Sequence, residues 1–164
     1  MKIKALTLYQ PWATMVAIGA KMIETRSWCT RYRGTLAIHA GKNSKFLRRV
    51  GDQYLAVSLL GNIQTEQRAR LPVSWGIVYP QGAIIAICEL VHCRLIDRYD
   101  WIANQKGWLI GKKFWPATNQ EKMLGDYTPG RYMWFLDNIR IFEQPITCKG
   151  YQRLWEWDCP LTFS

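Results

Sequence analysis

The sequence predicts an α+β fold, with several short strands curled into a barrel-like sheet and two or three helices beside it. Three observations lead there. Stretches whose apolar residues alternate with period two recur along the chain, stretches with helical spacing are few, and the two kinds do not follow one another in regular βαβ order. A 164-residue chain that is 49% hydrophobic, with nine Trp, eight Tyr and five Phe, has the material for a core, which excludes a largely disordered protein. No internal repeat, low-complexity tract or linker divides it, so residues 1–164 are expected to form one domain.

Lys2 to Tyr9 alternates Ile3, Ala5 and Thr7 against Lys4, Leu6 and Leu8, the pattern of a strand entering a core. A short helix follows from Pro11 to Ile18: proline suits the first helical position, Trp12, Met15 and Val16 share a face, and Gly19 supplies the left-handed stop. From Met22 the period returns to two, which puts Glu24, Arg26 and Trp28 on one face and Ile23, Thr25 and Ser27 on the other. After the turn Thr30–Gly34, a strand spans Thr35 to Ala40. Asn43 or Ser44 then caps a longer helix with Leu47, Val50, Tyr54 and Val57 as its apolar stripe, running toward Arg70 with a break near Gly61 and stopped by Leu71-Pro72. Gly82–Leu95 is the best candidate for a central strand, and Arg131–Phe142 for its partner. Between them, residues 97–128 are expected to be an irregular insertion, or a pair of short helices with loops, holding Trp101, Trp108 and Trp115.

The balance of 22 Lys+Arg against 12 Asp+Glu gives +10, which on a small domain points to a polyanionic partner, nucleic acid first. Apolar runs such as Ala83–Cys88 are too short for a membrane helix, which takes about 20 residues, and the start Met1-Lys2-Ile3-Lys4 is not that of a signal peptide. The five cysteines, Cys29, Cys88, Cys93, Cys148 and Cys159, are an odd number without a Cys-x-x-Cys pair, so a reducing, cytoplasmic setting without disulfides is expected. Cys88, His92 and Cys93 lack the spacing of a structural metal site, and neither metal nor other cofactor is expected.

The densest run of chemistry is Gly19, Lys21, Glu24, Arg26, Trp28, Arg31, Tyr32 and Arg33. Lys21, Arg31 and Arg33 can neutralise phosphates, Trp28 or Tyr32 can stack on a base, and Arg26 paired with Glu24 can be held in one rotamer. The same residues would also serve a cross-strand ion pair with packed aromatics.

Gln10-Pro11-Trp12-Ala13, then Gly19-x-Lys21-x-x-Glu24-x-Arg26, then Thr30-Arg31-Tyr32-Arg33-Gly34 leading to Ile38-His39-Ala40-Gly41-Lys42, resemble the ASCH (ASC-1 homology) domain of the PUA-like superfamily. Gly82-Ala83-Ile84-Ile85, Gly130-Arg131-Tyr132-x-Trp134-x-Leu136 and Glu143-x-Pro145-Ile146 are similar to its later strands, so the resemblance spares only the middle insertion. It implies a PUA-like β-barrel, a mixed and mostly antiparallel curled sheet with flanking helices, whose Lys-Glu-Arg segment lies in the floor or wall of a cleft suited to RNA or a nucleotide. Members of the family include nucleic-acid binders, nucleases and small amidohydrolases acting on acetylated cytidine. In the amidohydrolase branch a threonine nucleophile stands three residues after the motif lysine. Here that position is Glu24, so the nucleophile is not carried over, and Thr25 is expected on the opposite strand face.

The expected function is therefore binding of RNA or single-stranded nucleic acid. The expected site is Lys21, Glu24, Arg26 and Trp28, a rim of Arg31, Tyr32 and Arg33, and His39, Lys42, Tyr127 and Arg131, with the last two on the far wall. The alternative is an enzyme on a modified nucleoside, of the N4-acetylcytidine amidohydrolase kind, or a ribonuclease. Lys21 and Glu24 would then move the proton, and His39 fits either an acid-base role or a packed core histidine. Ala40-Gly41-Lys42-Asn43-Ser44 resembles the tail of a phosphate loop, but Leu36 stands where its first glycine belongs, which excludes that motif. The seven-residue spacing of Trp101, Trp108 and Trp115 suits core packing of the insertion better than stacking on a ligand.

Overall fold

The structure, a computed structural model, describes residues 1–43, 47, 61, 63–75, 79–102, 105–110, 113–116 and 118–161. Strand β1 (Lys2–Leu8) has apolar side chains on both faces: Leu6 and Leu8 enter the main core, while Ile3 and Ala5 join a second cluster with Ala37, Ile84, Ile87 and Trp157. β1 is therefore buried in part on both faces.

The Gln10–Pro11 peptide bond is cis, and α1 (Trp12–Ala17) begins just beyond it. Gln10 is fully buried. Its side-chain oxygen accepts from the Thr14 backbone N–H at 3.1 Å and the Thr14 hydroxyl at 3.0 Å, doing the work of an N-cap. At the other end Gly19 takes φ +77°, and the Gly19 and Ala20 N–H groups bond back to the Val16 and Met15 carbonyls at 2.8 and 2.9 Å. This Schellman-type stop turns the chain into β2 (Ile23–Arg26).

The remaining elements are β3 (Gly34–Ala40), α2 (Thr65–Arg68), a single 3-10 turn at Val73–Trp75, β4 (Ala83–Leu95), β5 (Arg98–Ile102), β6 (Gln105–Ile110), β7 (Lys113–Pro116), α3 (Asn119–Leu124), β8 (Tyr132–Thr147) and β9 (Leu154–Asp158). Of the long helix expected after Asn43, the stripe positions Val50, Tyr54 and Val57 lie outside the described residues; α2 is a separate single turn near its expected end, ahead of Leu71-Pro72.

Six strands form one mixed sheet in the order β2-β8-β4-β3-β1-β9, with β1 and β3 parallel and every other pair antiparallel. The β4–β8 ladder shifts register between Ile84 and Ala86, Ile87 and Glu89, and Leu90 and His92. Such bulges add twist and bend long strands, which curls the sheet toward a barrel. Curling leaves an open seam, because the edge strands β2 and β9 are not paired with one another. Leu36, Ile38, Ile85, Ala86, Leu90, Trp134 and Leu136 fill the interior, joined by Ala13, Val16 and Ala17 of α1.

Residues 97–128 depart from expectation. They hold a three-stranded antiparallel sheet, β5-β6-β7, followed by α3, rather than irregular chain or a pair of helices. Trp101, Trp108 and Trp115 sit on those strands, with Trp108 opposite Trp115 and, on its other side, Tyr99. Among the described residues no helix is long and apolar enough to cross a membrane.

Candidate functional site

The seam of the curled sheet opens into a cleft of about 1210 Å³. Its floor comes from the ends of β1, β2 and β3: Thr7, Glu24, Arg26 and His39. One wall is Tyr9, Trp12 and Trp28, and the other is the segment from Thr147 to Arg153 that links β8 to β9, with Lys42 and Asn43 at the edge. Side-chain links cross the opening. Arg26, on one edge strand, donates through Nη2 to the Thr7 carbonyl at 3.1 Å, and the Arg153 guanidinium lies over the Trp28 ring, 5.7 Å from its centroid.

Beneath the floor runs a line of charge. Lys21 is only 3% exposed; its ammonium donates to the Ile23 carbonyl at 2.7 Å and lies 3.4 Å from Glu24 Oε2. The other carboxylate oxygen of Glu24, Oε1, lies 3.1 Å from Arg26 Nε. Burial drives the pKa of Lys21 down, and the Glu24 carboxylate opposes that shift. Lys21 does not line the cleft. It sits behind β2 beside Gly125, where a Cβ would lie 3.2 Å from its Nζ and 2.6 Å from the Tyr127 ring. Glu24 is thus clamped between a hidden cation and one that faces the opening.

His39 ends β3 at the bottom of the cleft, 2% exposed, because β3 runs between β1 and β4 through the centre of the sheet. Its Nε2 lies 3.2 Å from the Cys148 carbonyl, so that nitrogen carries the proton, and the Trp155 ring meets it edge-on at 5.7 Å. Nδ1 is buried without a hydrogen-bond partner among the described residues, and burial pulls the histidine pKa down. Gly150 crosses directly over the ring: a Cβ there would stand 2.2 Å from His39 Cε1 and 2.4 Å from Nδ1. Thr7 Oγ1 accepts from Trp155 Nε1 at 3.2 Å, which ties the first strand to the last below the same segment.

The structure therefore brings together Glu24, Arg26, Trp28, His39 and Lys42 of the sequence-derived set. The basic turn stands apart from the cleft lining. Arg31 and Arg33 are exposed, Arg33 donates to the Thr30 and Tyr32 carbonyls at 3.0 and 2.6 Å, and Tyr32 packs half-buried on the core with its hydroxyl on the Thr35 carbonyl. Tyr127 and Arg131 do not form a far wall either. Tyr127 is buried with Ile23, Ile96 and Met133, which pushes its hydroxyl pKa up, and Arg131 lies against the other side of β2, on the Thr25 carbonyl at 3.3 Å and Asp126 at 3.3 Å. Thr25 faces away from Glu24, as the alternation requires, and is buried.

Tyr9, Trp12, Lys149, Tyr151 and Arg153 are cleft residues that sequence reasoning missed. The signal was there in Lys149-Gly150-Tyr151-Gln152-Arg153, which interleaves cations and an aromatic much as the earlier run does. Lys149 lies over the Tyr151 ring at 5.4 Å, and Tyr151 packs edge-on against Trp155. Among the described residues, four cations (Arg26, Lys42, Lys149, Arg153) stand against one carboxylate (Glu24), +3 for this part of the lining, and four aromatic side chains share it.

The family model for the ASCH domain matches residues 6–157, and the chain, with its curled six-stranded sheet, belongs to that family, one associated with RNA binding. Among named relatives, human Activating signal cointegrator 1 is 31% identical over 153 residues, which is 93% of this chain and 22% of that protein. Mouse Activating signal cointegrator 1 is 31% identical over 88 residues, 54% of this chain and 14% of that protein. The chain thus corresponds to a small part of these longer proteins.

Proposed function

We propose that the chain binds RNA or another single-stranded nucleic acid in the seam cleft. The observation that carries this reading is the makeup of the lining, with four cations, one carboxylate and four aromatics around one opening. Lys42, Lys149 and Arg153 suit backbone phosphates, and Trp12, Trp28, Tyr9 and Tyr151 suit unstacked bases, the combination that single-stranded binders use. Lys21 acts from behind by fixing Glu24. A cytoplasmic location agrees with the free thiols of all five cysteines. Titration of a labelled single-stranded RNA against the wild type and a Lys149→Ala/Arg153→Ala double variant tests the reading. Binding that weakens at least tenfold in the variant supports it, and equal affinity contradicts it.

A second reading, hydrolysis of a modified nucleoside, is favoured by one observation: Glu24 and His39 both line the same cleft. In that case Glu24 or His39 would move the proton, since Lys21 has no access to the opening. Incubation with N4-acetylcytidine and mass spectrometry of the products tests it; a deacetylated product that disappears in Glu24→Gln supports hydrolysis, and an unchanged nucleoside removes it.

A further inference from the structure

Glu24, the one carboxylate among the described residues of the cleft, needs a reason. In a site lined by four cations, an anion at the floor repels phosphate and lowers the positive potential that draws a polyanion in. Glu24 is 8% exposed, so a ligand that covers the floor strips away the water that still reaches it. A desolvated carboxylate is costly unless each oxygen keeps its hydrogen bonds.

Each oxygen has one protein donor group near it. Oε1 lies 3.1 Å from Arg26 Nε, an ion-pair contact that is not aligned as a hydrogen bond, and Oε2 faces Lys21 Nζ at 3.4 Å, both placed by the β2 backbone and by the stop of α1. A carboxylate offers about four acceptor positions. One on each oxygen is left for a ligand that brings two N–H donors side by side. Arg26 adds a donor next to them: Nη2 holds the Thr7 carbonyl, and Nη1 has no hydrogen-bond acceptor among the described residues.

We infer that Glu24 and Arg26 form a reader for the Watson–Crick edge of guanine, the base that presents two adjacent N–H groups, N1–H and the 2-amino group, with the O6 acceptor beside them. Glu24 accepts the two N–H bonds and Arg26 Nη1 donates to O6. Adenine and cytosine each bring one amino group and no neighbouring ring N–H. Uracil brings one ring N–H between two carbonyl oxygens, which the carboxylate repels. Trp28, beside Arg26 and held by the Arg153 guanidinium, provides the flat surface against which such a base is presented. The inference rests on the nucleic-acid reading of the cleft and adds to it the identity of the base.

The test alters the ligand first, so that it works on the unmodified protein. Binding of the full chain is measured for the pentaribonucleotides UUGUU, UUIUU (I, inosine), UUAUU, UUCUU and UUUUU at one fixed salt concentration. Inosine keeps N1–H and O6 and lacks only the 2-amino group. The expected result is that UUGUU binds about tenfold or more tighter than UUUUU, and that inosine loses about tenfold, the fold-change for one hydrogen bond to a charged group. Glu24→Gln should abolish the difference between UUGUU and UUIUU, with its circular dichroism spectrum and melting curve recorded to show that it is folded. Equal affinity for all five pentamers, or a preference for adenine or cytosine, overturns the guanine assignment and leaves the nucleic-acid reading standing. Binding of none of them overturns both.

Discussion

Replacing Gly150 by alanine should disturb the cleft from a lining position that carries no side chain. Gly150 is not among the glycines with positive φ, so alanine fits its backbone, and the effect comes from space alone. The new Cβ would lie 2.2 and 2.4 Å from His39 ring atoms and 2.9 Å from Thr7 Oγ1. The ring cannot swing aside, because Nε2 holds the Cys148 carbonyl and Trp155 lies against it. Overpacking a tight site costs about 1–3 kcal/mol, and three contacts below 3.0 Å put this one near the top of that range. Alanine returns about 0.4–1 kcal/mol by restricting the unfolded chain, which leaves roughly 2 kcal/mol net. At about 2–4 °C per kcal/mol for a chain of this size, the melting temperature should fall by roughly 4–8 °C. Calorimetry reads this directly. A His39→Ala background, which opens the space, should make the two changes couple by at least about 0.5 kcal/mol in the relieving direction. A melting temperature within about 1 °C of wild type, or strict additivity with His39→Ala, would refute the packing of residues 147–153 over His39.

Other perturbations follow from the same contacts. Lys21→Met leaves Glu24 with Arg26 as its remaining cation and should cost about 1–3 kcal/mol in urea unfolding, while Lys21→Met combined with Glu24→Leu should recover much of it; a fully stable single variant would contradict the ion pair. Burial lowers the His39 pKa below 6.5, so the folded state resists protonation that the unfolded chain accepts. Stability should be flat above about pH 6.5 and decline as the pH falls below it, by up to about 1.4 kcal/mol per unit, and His39→Gln should remove this part of the slope, which unfolding curves between pH 7 and 5 would show. The three cleft cations placed on phosphates, Lys42, Lys149 and Arg153, predict a slope of log affinity against log salt of about −2 for a single strand, each lost cation making it shallower by about 0.7. Arg31→Glu/Arg33→Glu should weaken binding across all sequences, and less than Lys149→Glu/Arg153→Glu, since the first pair lies outside the cleft lining; the reverse order would move the site to the basic turn.

Most of the sheet was legible because its signals are local. Period two placed β1, β2, β3, β4 and the start of β8 within a residue or two, and proline and glycine bracketed α1. The alternation in β2 also put Glu24, Arg26 and Trp28 on the cleft side and Thr25 away from it. Strands β5 to β7 escaped because they are four to six residues long and interrupted by Gly and Lys, too short for a pattern to stand out. The site was half legible for a different reason. Lys21 shares a motif with Glu24 yet sits behind the strand, because the stop of α1 turns it into the core. The second wall depends on β9 returning antiparallel to β1, which carries residues 147–153 over Thr7 and His39, and no local pattern encodes a pairing across about 150 residues.

Where nucleic acid touches the protein is the most direct test of this account. A 4-thiouridine-containing single-stranded RNA, irradiated with the full chain and mapped by mass spectrometry, should crosslink to peptides carrying Tyr9 and Trp12, Trp28, or Tyr151. Crosslinks confined to the β5–β7 sheet or to the Arg31–Arg33 turn would contradict a binding site in the open seam of the barrel.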